Sequence, residues 1–189
     1  MNRRFFAVTI YPGSAIVDLG AASKGFDLWA PFQQIMAVSK PVEFVLRSGS
    51  QRADCLYGGS PTVMLASDAL REQLVGCSGL KFFPVLLSGK SGIVEKFRVG
   101  LNVIGRCGRL NLAAHPTTND VRMGPRLSVA SGIRVDEQKW DGSDVFCFED
   151  LGKMLVTERV ADRLNAANLV GVAVGDVTAL PVFRLPGDV

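Results

Sequence analysis

Histidine is all but missing from this chain: His115 stands alone among 189 residues. A single imidazole leaves any Ser or Cys nucleophile one possible base, and it weakens any metal site built on histidine. Cysteine is nearly as scarce. Cys55, Cys77, Cys107 and Cys147 are spaced by 22, 30 and 40 positions, far wider than the gap of about two to four that a zinc knuckle uses. Charge of one sign is also lacking. The 21 basic and 18 acidic residues leave a net charge of +3, without the concentrated basic face of a dedicated nucleic-acid binder. No apolar run approaches the ~18 residues of a membrane-crossing helix. Arg3-Arg4 followed by Phe5 to Ile10 has the order of an export signal. The run breaks at Tyr11-Pro12-Gly13-Ser14, however, and Asp18 follows, so a first β-strand is expected instead.

What is present is apolar material in quantity. At 48% hydrophobic residues the chain has enough to bury one sizeable core, and a single domain over 1–189 is expected. Free buried thiols in a reducing compartment suit the cysteine count, which makes the cytoplasm the expected location.

The most informative pattern is an echo. Met64-Leu65-Ala66-Ser67-Asp68-Ala69-Leu70 matches Met154-Leu155-Val156-Thr157-Glu158-Arg159-Val160 in residue type, at an offset of 90 (154 − 64). Leu74 and Leu164 then follow at the same step. Each copy reads as a short apolar strand, a Ser or Thr N-cap, an acidic residue in the first turn and an amphipathic helix. The helices are expected from about Asp68 to Val75, with Gly76 ending it, and from about Glu158 to Asn168. The fold class that follows is α+β. Two related strand–helix units, about 40–87 and 140–180, pack with antiparallel sheet and few short helices, and a loop-rich excursion spans 105–135. Further strands are expected at the N-terminus, at Val42 to Leu46, over Leu80 to Leu87 and Ile93 to Ile104 as a hairpin, at Asp144 to Phe148, at Val170 to Val174 and at Leu180 to Leu185. Asp54 to Pro61, with its two glycines, reads as a loop.

Catalytic motifs are mostly refused on inspection. Gly89-Lys90-Ser91 lacks the glycine five residues earlier that a phosphate loop needs, since Pro84 stands there, and it precedes strand-like rather than helical sequence. His115 lies beside Pro116 in the loosest part of the chain. The acidic groups Asp136, Glu137, Asp141, Asp144, Glu149 and Asp150 lack calcium-loop spacing, and Asp141-Gly142 is turn chemistry. Arg106, Arg109, Arg122, Arg126 and Arg134 have no interleaved aromatics on which bases would stack. No enzyme, cofactor or metal is expected from these patterns.

The segments that carry the echo also carry a resemblance. Asp54-Cys55-Leu56 and Val63 to Leu70 resemble the "Asp-Phe-Leu … Val-Ser-Glu-x-Leu" stretch of the myxobacterial-type immunity-protein domain family of bacterial polymorphic toxin systems. Asp144 to Phe148, Met154 to Leu164 and Ala167 to Val172 resemble that family's C-terminal signature, with Thr157, Cys147 and Val170 in place of its usual Ser, Arg and Thr. The resemblance implies a cytoplasmic antidote whose partner is a cognate toxin protein, blocked by steric occlusion, with no nucleic acid, no membrane and no catalysis. It transfers no binding residues. From residue type alone the candidate partner-binding residues are Trp29, Trp140, Arg122, Arg126, Asp141 and Asp144, since aromatic and arginine anchors dominate interface energy. The mild positive charge points to a neutral or acidic toxin surface. The alternatives are a small-ligand binder or enzyme with a pocket between the two units, and a structural subunit of a larger assembly. The oligomeric state stays open.

Overall fold

The computed structural model describes residues 3–10, 15–19, 40–49, 52–60, 63–89, 92–94, 96–111, 117–119, 128–130 and 132–184. They form an α+β fold that is mostly strand. In chain order the elements are β1 (Phe5–Ile10), β2 (Ala15–Leu19), β3 (Val42–Gly49), β4 (Cys55–Ser60), β5 (Val63–Ser67), α1 (Asp68–Leu74), β6 (Leu80–Gly89), β7 (Gly92–Ile93) and β8 (Phe97–Val103). There follow β9 (Gly105–Arg106), β10 (Thr117–Asn119), β11 (Ser128–Ala130), β12 (Val145–Cys147), β13 (Leu155–Thr157), α2 (Glu158–Ala166), β14 (Val172–Asp176), a 3-10 turn at Val177–Ala179 and β15 (Val182–Arg184).

Three sheets organise these strands. The largest runs β3-β2-β4-β5-β8-β6-β7, and β3 also pairs with β6, so six of its strands close into a barrel. The second runs β14-β1-β13-β12-β9 and the third β10-β11-β15. Most pairings are antiparallel, as the sequence suggested. Three are parallel, β2 with β4, β3 with β6 and β9 with β12. Parallel neighbours arise through long crossovers that leave no local turn signature.

The strand–cap–helix segments fold as their chemistry dictates. Ser67 caps α1, its hydroxyl accepting from the Leu70 N–H at 3.2 Å, and Asp68 sits in the first turn. α1 buries Leu70 and Leu74, and α2 buries Val160, Ala161 and Leu164. The two helices touch each other. Leu65 in β5 and Leu155 in β13 are both fully buried. Each buried leucine side chain contributes about 1.5–3 kcal/mol, so helices of seven and nine residues, too short to be stable alone, are held by docking.

One expectation is corrected. Asp54 to Pro61 is not a loop, because Cys55–Ser60 is strand β4, paired with β5 across an irregularity between Tyr57 and Ser60. Gly58 signals close packing here rather than a turn. A Cβ on it would meet Val63, Leu65 and Phe44 side chains at 2.9 to 3.2 Å. Within the 105–135 stretch the described residues include the short strands β9, β10 and β11. Pro84 lies within β6, opposite Val99, where it is exposed.

Three apolar clusters fill the interior. Leu56, Leu65, Phe44, Leu87 and Phe97 pack inside the barrel. Phe5, Phe146, Phe148, Leu155 and Ile133 pack on one face of the second sheet. Between the two large sheets, Met64, Leu70, Leu74, Leu101, Val8, Met154, Val156 and Leu164 share a central core with the helices. Gly79, after α1, has φ +82°, and a Cβ there would overlap the Val145 carbonyl oxygen and Ser143. Gly76, three residues earlier in the same connection, has φ +78° and open space around it. Gly76→Ala should therefore cost only the left-handed backbone penalty of about 1–2 kcal/mol. Gly79→Ala should cost clearly more in the same urea titration, because the backbone of β12 must move as well.

Candidate partner-binding surface

The candidate residues are placed unevenly. Trp29, Arg122 and Arg126 lie outside the described residues, as does His115. Trp140, Asp141 and Asp144 lie within them, on the connection that leads into β12.

Trp140 is half-buried. Its ring meets Phe5 edge-on at 5.2 Å and Phe146 at 5.8 Å, and its indole N–H donates to the Ser143 carbonyl at 3.0 Å. The Arg3 guanidinium lies 4.9 Å over the ring. A turn in which the Lys139 and Trp140 N–H groups both donate to the Asp136 carbonyl presents the residue. Trp140 thus anchors its loop on the core while part of it stays exposed, with Arg3 over its ring and Asp136, Glu137 and Lys139 in the turn that precedes it. Arg3 N–H reaches Glu137 at 3.3 Å, and Lys139 pairs with Asp136 at 3.4 Å. Mixed charge around a partly covered tryptophan is the composition of an interface rim around an anchor.

The two aspartates are tied down. Asp141 accepts from the Arg106 N–H at 2.8 Å and the Ser143 N–H at 2.9 Å, which fastens the loop to β9. Burial works against its charge, but these bonds outweigh it and hold the carboxyl below its ordinary range. Asp144 accepts from the Ser78 N–H at 2.9 Å, from the Ser78 hydroxyl at 3.0 Å and from Arg159 at 2.6 Å. Its carboxyl is depressed in the same way, burial being overcome by Arg159 and Ser78.

A third carboxylate of this kind went unrecognised in the sequence. Asp54 is buried, accepts from the Ser67 hydroxyl at 2.8 Å and the Val170 N–H at 2.7 Å, and pairs with Lys96 at 3.0 Å. Against the cost of burial, Val170, Lys96 and Ser67 hold it ionised. A Ser–Asp–Lys group invites a nucleophile reading, which the geometry opposes. Ser67 is buried, and its oxygen is already donor to Asp54 and acceptor from Leu70. The spacing of Asp54, Ser67 and Lys96 follows no local period, so only the β4–β5–β8 pairing reveals it.

The thiols are equally engaged in packing. All four are buried and unbridged. Burial pushes Cys55 and Cys107 up to about 12 and Cys147 to about 11, far from the thiolate that nucleophilic chemistry needs. Cys107 and Cys147 belong to different apolar clusters, the one on the outer face of the second sheet and the other in the central core. Among the described residues no three His, Cys, Asp or Glu side chains gather as a metal-ligand set, and no helix is long and apolar enough to cross a membrane. No protein-family model matches the chain, and no curated protein matches it.

One polar atom marks where the two helix starts differ. Thr157 precedes α2 but makes no side-chain cap bond, and its hydroxyl is buried without a partner. Ser67, by contrast, has two partners. Thr157→Val should be neutral or stabilising by up to about 1 kcal/mol, since it removes an unsatisfied hydroxyl. Ser67→Val should cost about 2 kcal/mol or more, because it leaves the buried Leu70 N–H unpaired and takes from Asp54 one of its partners, Lys96 and Val170 remaining. Chemical denaturation of both variants checks the sign.

The depressed carboxyls also fix a pH dependence. A group whose folded pKa lies below its unfolded value stabilises the fold above the unfolded value and ceases to as pH falls through the folded one. For Asp54, Asp141 and Asp144 the ordinary value is 3.8. Stability should therefore hold above about pH 5 and fall below about pH 4. Asp144→Asn should flatten that acid limb while lowering stability at neutral pH, measured by thermal melts across pH.

Proposed function

We propose that this chain is a non-catalytic binding protein, an immunity protein that neutralises a cognate bacterial toxin by covering its working surface. What favours binding over catalysis is the disposition of reactive groups. Asp54, Asp141 and Asp144 are spent on backbone N–H groups, and the four thiols are buried and protonated. What favours a toxin as the partner is the sequence likeness at Asp54 to Leu70 and Asp144 to Val172. Those segments build the scaffold, which is where a family of inhibitors stays alike while its contact surface diversifies.

The contact surface proposed includes the exposed part of Trp140 with Arg3, Asp136, Glu137 and Lys139; Trp29, Arg122 and Arg126, which lie outside the described residues, stay candidates by residue type alone. The net charge of +3 favours a neutral or acidic toxin face. Its place of action is the cytoplasm, where four unbridged buried thiols are at home. No nucleic acid, membrane, metal or cofactor takes part in this reading.

The test is co-expression with the product of the adjoining reading frame. That product alone should arrest growth, the pair should grow, and the two should co-purify. Lys139→Glu, an exposed change next to Trp140 that also breaks the Lys139–Asp136 pair, should weaken the complex about tenfold or more against an acidic face while lowering the melting temperature by no more than about 2–4 °C. A harmless neighbour, or one that never co-purifies, would remove the reading.

A further inference from the structure

Strand pairings, registers and turn geometry repeat across the molecule with an exchange that the sequence does not show. In the barrel, β5 lies between β4 and β8, β8 continues to β6, and β4 has β2 as a parallel neighbour. In the second sheet, β13 lies between β12 and β1, β1 continues to β14, and β12 has β9 as a parallel neighbour. The chain visits these strands in one order, β1-β2-β4-β5-α1-β6 and then β8-β9-β12-β13-α2-β14. By position, β1 is the counterpart of β8. Yet β1 sits in the second sheet and β8 in the barrel.

The registers agree residue by residue. Leu65 faces Gly100, which faces Phe83. Leu155 faces Ala7, which faces Gly175. Ile16 faces Tyr57 as Arg106 faces Cys147, each shifted by 90 (106 − 16 and 147 − 57). Past the helices the shift becomes 92 (175 − 83), and the two added residues are those by which α2 exceeds α1.

The turns after the helices are crossed in the same sense. Asp54, before β4, accepts the N–H of Val170 after α2, whereas Asp144, before β12, accepts the N–H of Ser78 after α1. Ser67 N–H donates to the Asp54 carbonyl as Thr157 N–H donates to that of Asp144. Left-handed backbone recurs at Gly76 and Gly79 and again at Asn168 and Gly171, the same 92 positions on. The central core draws its members in matching pairs, Met64 with Met154 and Leu74 with Leu164 among them.

We infer that the chain comprises two structural copies of one unit that have exchanged their first strands and their turn clasps. Each sheet is completed by the other copy's strand, and each helix exit is locked by the other copy's aspartate. The exchange makes the two halves one cooperative body. β1, held by three register pairs to β13 and five to β14, cannot leave without cutting β14 off from the rest of the second sheet.

The 189-residue chain tests this with Trp140, which reports on the second sheet, in a Trp29→Phe background. Leu87→Ala removes a fully buried side chain from the barrel core, a different apolar cluster from that around Trp140. Its urea midpoint read by Trp140 fluorescence should fall by the same amount as the midpoint read by far-UV circular dichroism, in one transition. Leu87→Val makes the same comparison with a smaller cut if the alanine variant does not fold. A Trp140 midpoint that stays at its original value while the circular dichroism splits into two steps would overturn the inference. Either result is independent of whether a toxin is bound.

Discussion

Two carboxylates hold this molecule in register. Asp54 and Asp144 each stand just before a strand, and each accepts the backbone N–H of a turn that closes the opposite helix. A buried or half-buried carboxylate is costly unless its oxygens are filled. Here they are filled by backbone N–H groups, a serine hydroxyl on each, and one cation on each, Lys96 and Arg159. The bonds fix where the helices exit, and hence where β6 and β14 begin. From that follow the sheet edges, the shared central core and the placement of the Trp140 loop.

Local chemistry was legible in the sequence. Ser67 before Asp68, with Leu70 and Leu74 at a step of four, announces a capped helix, and Gly76 announces its end; both stand in the structure. The apolar runs at Phe5 to Ile10 and Val42 to Leu46 announce strands for the same reason, a local period. Nonlocal chemistry was not legible. Gly58 and Gly59 carry turn composition, but the strand around them is imposed by Phe44, Val63 and Leu65, which leave Gly58 no room for a side chain. Asp54 looked like a loop residue because the Val170 N–H that it accepts lies more than a hundred positions away. Asp141 reads as turn chemistry and, with Asp144, as a candidate partner contact, and the two become structural only once Arg106 and Ser78 are brought beside them.

The same division bears on the proposed binding role. Among the described residues the three depressed carboxylates and the four thiols are engaged inside the fold, so the proposed contact rests on shape and charge at the surface. Trp140 illustrates the arrangement, with one side of its ring locked on Phe5 and Phe146 and the other covered by Arg3. A preordered aromatic with a charged rim loses little entropy on association, which is what the proposed binding role would draw on.

Amide hydrogen exchange at Val170 and Ser78 tests the central claim most directly. In Asp54→Ala the Val170 amide should lose protection while Ser78 keeps it, and in Asp144→Ala the pattern should reverse. Unchanged protection at both amides in both variants would contradict the crossed clasps on which the account rests.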